Sequence, residues 1–495
     1  MKDIFLTLLP FFISSLIGYL TIRSLNKNHQ DRSLSLDCFL SIGLGLGLSA
    51  YLTFLSFLIY DQLNTFFVIT LHLGILLGLL LINFINFQST RISFPIQNSI
   101  KTFALVSLRA LFAKQSFKKI ASAKKRPRKD TEILYIFPWI QIILWILLLL
   151  SLIPLWIYSH SYPYGGWDAW QVWNLKAKFL FLGGENWKNI FHESLWRSSP
   201  HYPLLLPIIN VWGWIFSKDA TYSVPLFTAL IFSIALVGLL SQAIYRSTRS
   251  FLSILPVLLI FTHPLLLNLT ISQYADLPFA FYLFAGLFCL YQAKTKPLLT
   301  SYFLLLTSLF LSFLSFTKPE GLIAAIVVIF LSLPYLLWEN NLRSLKKIFL
   351  IYLISLFIAF LPSIVFYGLY APKNITFING FLSTAKPSDL NRLKIIAMYY
   401  VLEIFSAKWN GLWILLLGGF ILSIKKCFTR KILIFPAFLL IYSAIIILYY
   451  QTNTYFEIGW WLQSTLHRIL FTLLPTIIFW IFTSLAEKQT LNSKP

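Results

Sequence analysis

Three tryptophans, one aspartate and two lysines are crowded into seventeen residues, Tyr162-Pro-Tyr-Gly-Gly-Trp167-Asp168-Ala-Trp170-Gln-Val-Trp173-Asn-Leu-Lys176-Ala-Lys178. They directly follow a long apolar run, 135–158. Tryptophan concentrates where a helix leaves a bilayer, and a carboxylate at that depth is paired or functional. Asp168 there fits a general base that takes a proton from a hydroxyl, helped by burial beside Trp167 and Trp170. The bland readings are a helix N-cap, or an ion pair with Lys176 or Lys178.

Four other places hold reactive side chains. Asp276, in Ser272-Gln-Tyr274-Ala-Asp276-Leu-Pro278, is either an N-cap or a second carboxylate able to organise a sugar or a divalent cation. Lys318-Pro-Glu320-Gly321 reads as a proline-initiated helix, or as Lys318 on a phosphate with Glu320 on a sugar hydroxyl. His201-Tyr202-Pro203 suits an acceptor site or a headgroup-level anchor. Arg468, after His467, either snorkels to lipid phosphate or holds a phosphate leaving group. His263-Pro264 reads as a kink.

These residues need a scaffold, and the composition specifies its kind. Hydrophobic residues make up 58% of the 495 positions and charged residues 12%, about half the charged share of a soluble domain. Apolar runs of about twenty residues recur throughout, which predicts an all-α polytopic membrane protein of about thirteen crossings. They lie at 5–22, 39–60, 65–87, 135–158, 221–245, 251–269, 277–293, 298–316, 322–338, 348–370, 411–424, 432–450 and 466–485. The shorter apolar run 203–216 predicts an interfacial or re-entrant helix inside a long outer loop, 159–220. Gly43-Leu-Gly45-Leu-Gly47 lies in an apolar helix with no strand before it, so it reads as close helix packing and not as a phosphate loop.

The net charge of +23 comes from basic loops, a pattern of topology and anionic lipid headgroups and not of nucleic acid. The segment 91–129 holds eleven Lys and Arg and no acid, and so belongs in the cytoplasm. With that fixed, Asp168, Asp276, Lys318, Glu320 and Arg468 all fall on the outer face. Residues 100–114 read as an amphipathic helix on the inner surface. Cys38, Cys289 and Cys427 lack metal-ligand spacing. The first apolar run reads as a retained anchor. The organisation expected is an accessory N-terminal unit at 1–90, a basic linker at 91–134, a membrane core at 135–485 and a tail at 486–495.

The ordered set Gly166-Trp167-Asp168-Ala169-Trp170, Trp173-Asn-Leu-Lys176-Ala-Lys178, His201-Tyr-Pro203-Leu-Leu-Leu-Pro207, Gln273-Tyr-Ala-Asp276-Leu-Pro278, Lys318-Pro-Glu320-Gly321 and Leu462-Gln-Ser464-Thr465-Leu-His-Arg468 resembles a known family. It is that of the lipid-phosphosugar-dependent glycosyltransferases of the GT-C fold, of the protein-mannosyltransferase and RgtA/B/C/D-like type. The resemblance spans 135–485. It implies an inverting transfer at the outer face of a bacterial cytoplasmic (inner) membrane, from a polyprenyl-phosphate sugar donor to a glycan, lipid or protein hydroxyl. In that scheme Asp168 is the general base and Asp276 helps organise the catalytic site. Trp167, Lys176, His201, Tyr202 and Glu320 line the substrate, and Lys318 and Arg468 receive the phosphate. Two departures stand out: three spans and a basic linker precede the catalytic loop, and position 467 is His where the family pattern is acidic. Metal use varies across the fold, so no ion is assigned. A flippase or polymerase of lipid-linked oligosaccharide is the alternative, and a non-catalytic scaffold subunit the third reading.

Overall fold

The computed structural model describes residues 2–26, 33–92, 161–248, 254–261, 263–338, 342–373 and 389–486, with 153 and 157. The expected span 135–158, the basic linker and the amphipathic segment 100–114 lie outside the described residues. Among those described there is no strand, and ten helices are long and apolar enough to cross a bilayer. Twenty or so apolar residues in helical form match the thickness of a hydrocarbon core, and the chain is an integral membrane protein.

Three helices open the chain: α1 (Lys2–Leu25), α2 (Leu34–Tyr60) and α3 (Thr65–Ile92). The tryptophan-rich segment forms a π-turn (Ala169–Trp173) that runs into α4 (Asn174–Leu182), and α5 (Leu205–Ser217) and α6 (Ser223–Thr248) follow. Next come α7 (Ile254–Phe261), α8 (Pro264–Ser272), α9 (Asp276–Thr295), α10 (Thr300–Ser315), α11 (Pro319–Leu337) and α12 (Leu342–Val365). The last four are α13 (Leu390–Ile404), α14 (Leu412–Cys427), α15 (Ile434–Thr452) and α16 (Ile458–Ala486).

The elements differ from expectation at four places. The run 251–269 is two short helices, α7 and α8, broken at His263-Pro264. Proline supplies no N–H and starts α8, while the His263 ring caps it by accepting from the Leu265 N–H at 3.2 Å. The run at 411–424 forms a helix of only 16 residues. The final helix begins at Ile458, eight residues earlier than the apolar run alone suggested, because Glu457 caps it through the N–H groups of Gly459 and Trp460. The short helix α5 is buried along its length between α1, α2, α4 and α6, so it is not a surface helix.

α9 is the central column. Nearly all its side chains are buried, against α2, α6, α10, α11 and α16. Glycine lets α1 and α2 approach closely: a Cβ on Gly45 would lie 1.7 Å from the Ser14 carbonyl oxygen, and one on Gly18 2.1 Å from that of Ser41. Gly43 and Gly47 receive the rings of Phe281 and Phe313. The glycine run is therefore a packing surface that joins α1 and α2 to the central core. Lys294, Arg430 and Lys431 gather around Tyr335 and Trp338, at the end of the bundle opposite Asp276.

Gly45→Ala should lower stability by about 1–3 kcal/mol, since backbone cannot yield to the new methyl. Gly78→Ala, whose Cβ would meet nothing within 4 Å, should be neutral or stabilising. Thermal unfolding in detergent compares the two; equal melting temperatures would contradict the packing.

Candidate functional site

The expected residues converge because three helix starts meet beside the third turn of α16 at one end of the bundle. Asp168 opens the π-turn, Asp276 is the first residue of α9, Lys318 precedes Pro319 at the start of α11, and Arg468 lies on α16. Ten residues separate Arg468 from the start of α16, roughly 15 Å along its axis at the α-helical rise. Its guanidinium turns inward and does not snorkel outward.

Arg468 joins the two carboxylates. Its Nε and Nη2 donate to Asp276 Oδ2 at 2.9 and 2.7 Å. The same Nη2 lies 2.7 Å from Asp168 Oδ2. Lys318 Nζ donates to the other oxygen of Asp276 at 2.8 Å. Two carboxylates and two cations thus form a continuous, formally neutral chain, Lys318–Asp276–Arg468–Asp168. The Tyr274 ring packs on the guanidinium at 4.3 Å, a cation–π contact that also shields it from water.

Neither aspartate is an N-cap. Asp168 makes no side-chain cap bond, and the cap position of α9 is Ala275. Asp168 also pairs with neither Lys176 nor Lys178. Trp167 and Trp170 pack edge-to-face on each other at 4.7 Å and stay about half exposed. They form a rim, and Asp168 owes its placement to Arg468.

A second shell of polar side chains holds this geometry. Gly165 has φ +76, which a side chain would strain, and a Cβ on Gly166 would lie 2.5 Å from the Tyr274 hydroxyl. The Gly166 N–H donates to the Ser272 carbonyl at 3.1 Å. The two glycines thus bring the Asp168 turn against the segment that carries Tyr274 and Asp276. Gln273, itself at φ 56, donates to the Pro163 carbonyl and accepts from Asn174 at 3.0 Å each. Asn174 accepts from Asn210, which accepts from Thr228. Sequence reasoning missed Asn174, Asn210 and Thr228, because amides and hydroxyls in apolar helices have no spacing signature. The other side of the Gly165-Gly166 turn borders a cavity of ≈ 430 Å³, lined by Tyr162, Pro264, Leu267, Asn268, Ile271 and Ser272.

Lys176, buried, and His201 and Tyr202, half-buried, form a group beside the ion chain. Lys176 is fully buried, its Nζ donating to the carbonyls of Ser199 at 2.5 Å and Tyr202 at 3.3 Å, over the rings of Trp173 and Tyr202. Burial without a carboxylate pushes its ammonium well below the usual lysine range. Its place is under the 199–202 segment, as an anchor. Burial, and next the charges of Glu320 and Asp168, push the Tyr202 hydroxyl well above its ordinary range. Glu320, in the first turn of α11 and two residues from Lys318, keeps one buried oxygen without a hydrogen-bond partner. Nearby, Trp173 leaves its indole N–H unpaired, and the buried Nδ1 of His467 lacks a partner.

The residues do not fit a divalent ion. A guanidinium lies between the two aspartates where a bridging metal would sit, and among the described residues no three His, Cys, Asp or Glu side chains converge. The arrangement suits an anion delivered to Arg468 and Lys318, next to a carboxylate within reach of a hydroxyl.

Comparison of the chain with family models, curated proteins and solved structures finds no match.

Burial, followed by the Lys176 charge, holds the His201 imidazole down at about 4 against an ordinary 6.5. Between these values the unfolded chain binds a proton that the folded protein excludes. Stability is therefore complete above pH 6.5 and declines as pH falls towards 4. Melting temperatures across that window should fall for the wild type and fall less for His201→Gln; identical slopes would contradict the assignment.

Proposed function

We propose that the protein is a GT-C-like membrane glycosyltransferase. It would move a sugar from a polyprenyl-phosphate carrier to a hydroxyl of a glycan, lipid or protein acceptor at the outer face of a bacterial inner membrane. The observation that carries this reading is the ion chain itself. Side chains separated by up to three hundred positions, Asp168, Asp276, Lys318 and Arg468, meet in one contact network at one end of the bundle. The network offers a carboxylate on one side and two cations on the other.

In this reading the acceptor hydroxyl passes its proton to Asp168, the most exposed member of the chain. The acceptor oxygen forms a bond to the anomeric carbon from the face opposite the carrier, which inverts the configuration. The bond between that carbon and the phosphate oxygen breaks, and the oxygen keeps the electron pair. Arg468 and Lys318 stabilise the charge that develops on the departing phosphate. Asp276 holds both cations in place. Glu320, with an unpaired buried oxygen two residues from Lys318, supplies an acceptor for sugar hydroxyls.

Asp168→Asn keeps the shape of the turn and removes the base. The variant should lose at least about a hundredfold in transfer rate, the usual contribution of a positioned base. The check is the mass of the surface glycan or lipid made by cells with the wild type, the variant or no protein. Loss of one sugar unit in both of the latter supports the reading. An unaltered glycan in the variant would remove Asp168 from catalysis, and loss of the whole glycan, or of all but its first repeat, without the protein would favour the flippase or polymerase reading.

A further inference from the structure

We infer that Asp168 is a placeholder for the donor's phosphate: a phosphate monoester entering the cluster takes Arg468 from Asp168, and so frees that carboxylate only when donor is seated. The inference rests on the phosphosugar reading above and adds an order of events to it.

The two aspartates are held unequally. Asp276 accepts from Arg468 Nε, from Arg468 Nη2 and from Lys318 Nζ, and its side chain is 4% exposed. Asp168 touches Arg468 through Nη2 alone and is 28% exposed. Asp276 is thus a fixed anchor, and Asp168 is the partner that water and solutes can reach. Its backbone is tethered independently, through the Gly166–Ser272 bond and the Gln273–Pro163 bond. The carboxylate can therefore leave Arg468 without unfolding the turn.

Charge balance gives the same direction. Lys318 and Arg468 are matched in charge by the two aspartates, so an arriving phosphate brings excess negative charge against them. Arginine binds phosphate at least as well as carboxylate, through several N–H groups at once. Exchange occurs on the weakly held side, and Asp168 is expelled. While Arg468 Nη2 holds Asp168 Oδ2 that oxygen is occupied, and once released it is open to the acceptor hydroxyl. The base is therefore restrained while no donor is present and active once it is, which ties acceptor deprotonation to a loaded site.

The test is binding, independent of transfer. The full-length protein in nanodiscs is titrated with farnesyl monophosphate, with inorganic phosphate, and with farnesol as the uncharged control. Asp168→Asn removes the competitor and should bind farnesyl monophosphate about tenfold more tightly than the wild type, or more, the scale of one charge-assisted contact. Glu320→Gln removes a carboxylate two residues from Lys318 that makes no bond to Arg468, and should change binding of this sugar-free phosphate less than about threefold, since only a longer-range charge is lost. Arg468→Gln should abolish the effect in either background. Equal tightening for inorganic phosphate assigns the exchange to the headgroup alone, and tightening confined to farnesyl monophosphate assigns it to the lipid ester; both support displacement. If Asp168→Asn binds no tighter, or Glu320→Gln tightens as much, while binding still needs Arg468, the placeholder role is wrong and the phosphate reading stands. If no form binds either phosphate, the phosphosugar reading itself fails. Should Asp168→Asn not fold, Asp168→Ser has the same expected outcomes.

Discussion

An arginine held between two carboxylates, at the end of a helix bundle made almost wholly of apolar side chains, constrains everything around it. Burying one charge costs several kcal/mol, and breaking such a pair by removing one partner typically costs about 3–5 kcal/mol. The surroundings must therefore offset the charge of Arg468, and they do. Asp276 takes two of its N–H groups, Asp168 shares one, and the Tyr274 ring covers it. Each partner comes from a different element. α9, α16 and the tryptophan-rich turn cannot shift independently without exposing an unpaired charge, and the Lys318–Asp276 bond adds α11 to the set.

The rest of the fold brings these elements to one point. α9 is buried over almost its whole length, so its first residue is fixed in depth and direction. Glycines let α1 and α2 pack against each other, and α2 close against the core. The asparagine relay from Gln273 to Thr228 links the turn that carries Asp168 to α4, α5 and α6. Such a relay in an apolar interior gains only when every member is satisfied. Basic side chains collect at the other end, around Tyr335 and Trp338, so the molecule is polarised along the helix axes.

Much of this was legible in the sequence for physical reasons. Long apolar runs can only be membrane helices, and the glycine run in an apolar helix could only be a contact surface. The residues singled out, Asp168, Asp276, Lys318 and Arg468, were those costly to place in such a setting, and they meet. What escaped was their pairing. Local logic offered N-caps for the aspartates and snorkelling for Arg468, whereas long-range charge neutralisation overrides both. The start of α16 was missed because Glu457, Trp460 and Trp461 lower the apolar average of its first turns, although the glutamate caps the helix. By length α5 read as interfacial or re-entrant, and its cover by four neighbours speaks against the interfacial alternative alone. The role of Lys176 was hidden because a lysine at a bilayer edge normally reaches for phosphate, and here two carbonyls take it.

The most direct test is a double-mutant cycle of Asp276→Asn and Arg468→Gln, read as unfolding free energy in detergent. If the two side chains share one buried ion pair, the losses are strongly non-additive: the double variant should be more stable than the sum of the single losses predicts by about 2–3 kcal/mol. Additivity to within about 0.5 kcal/mol would mean that the two do not interact, and the account built on Arg468 would fall.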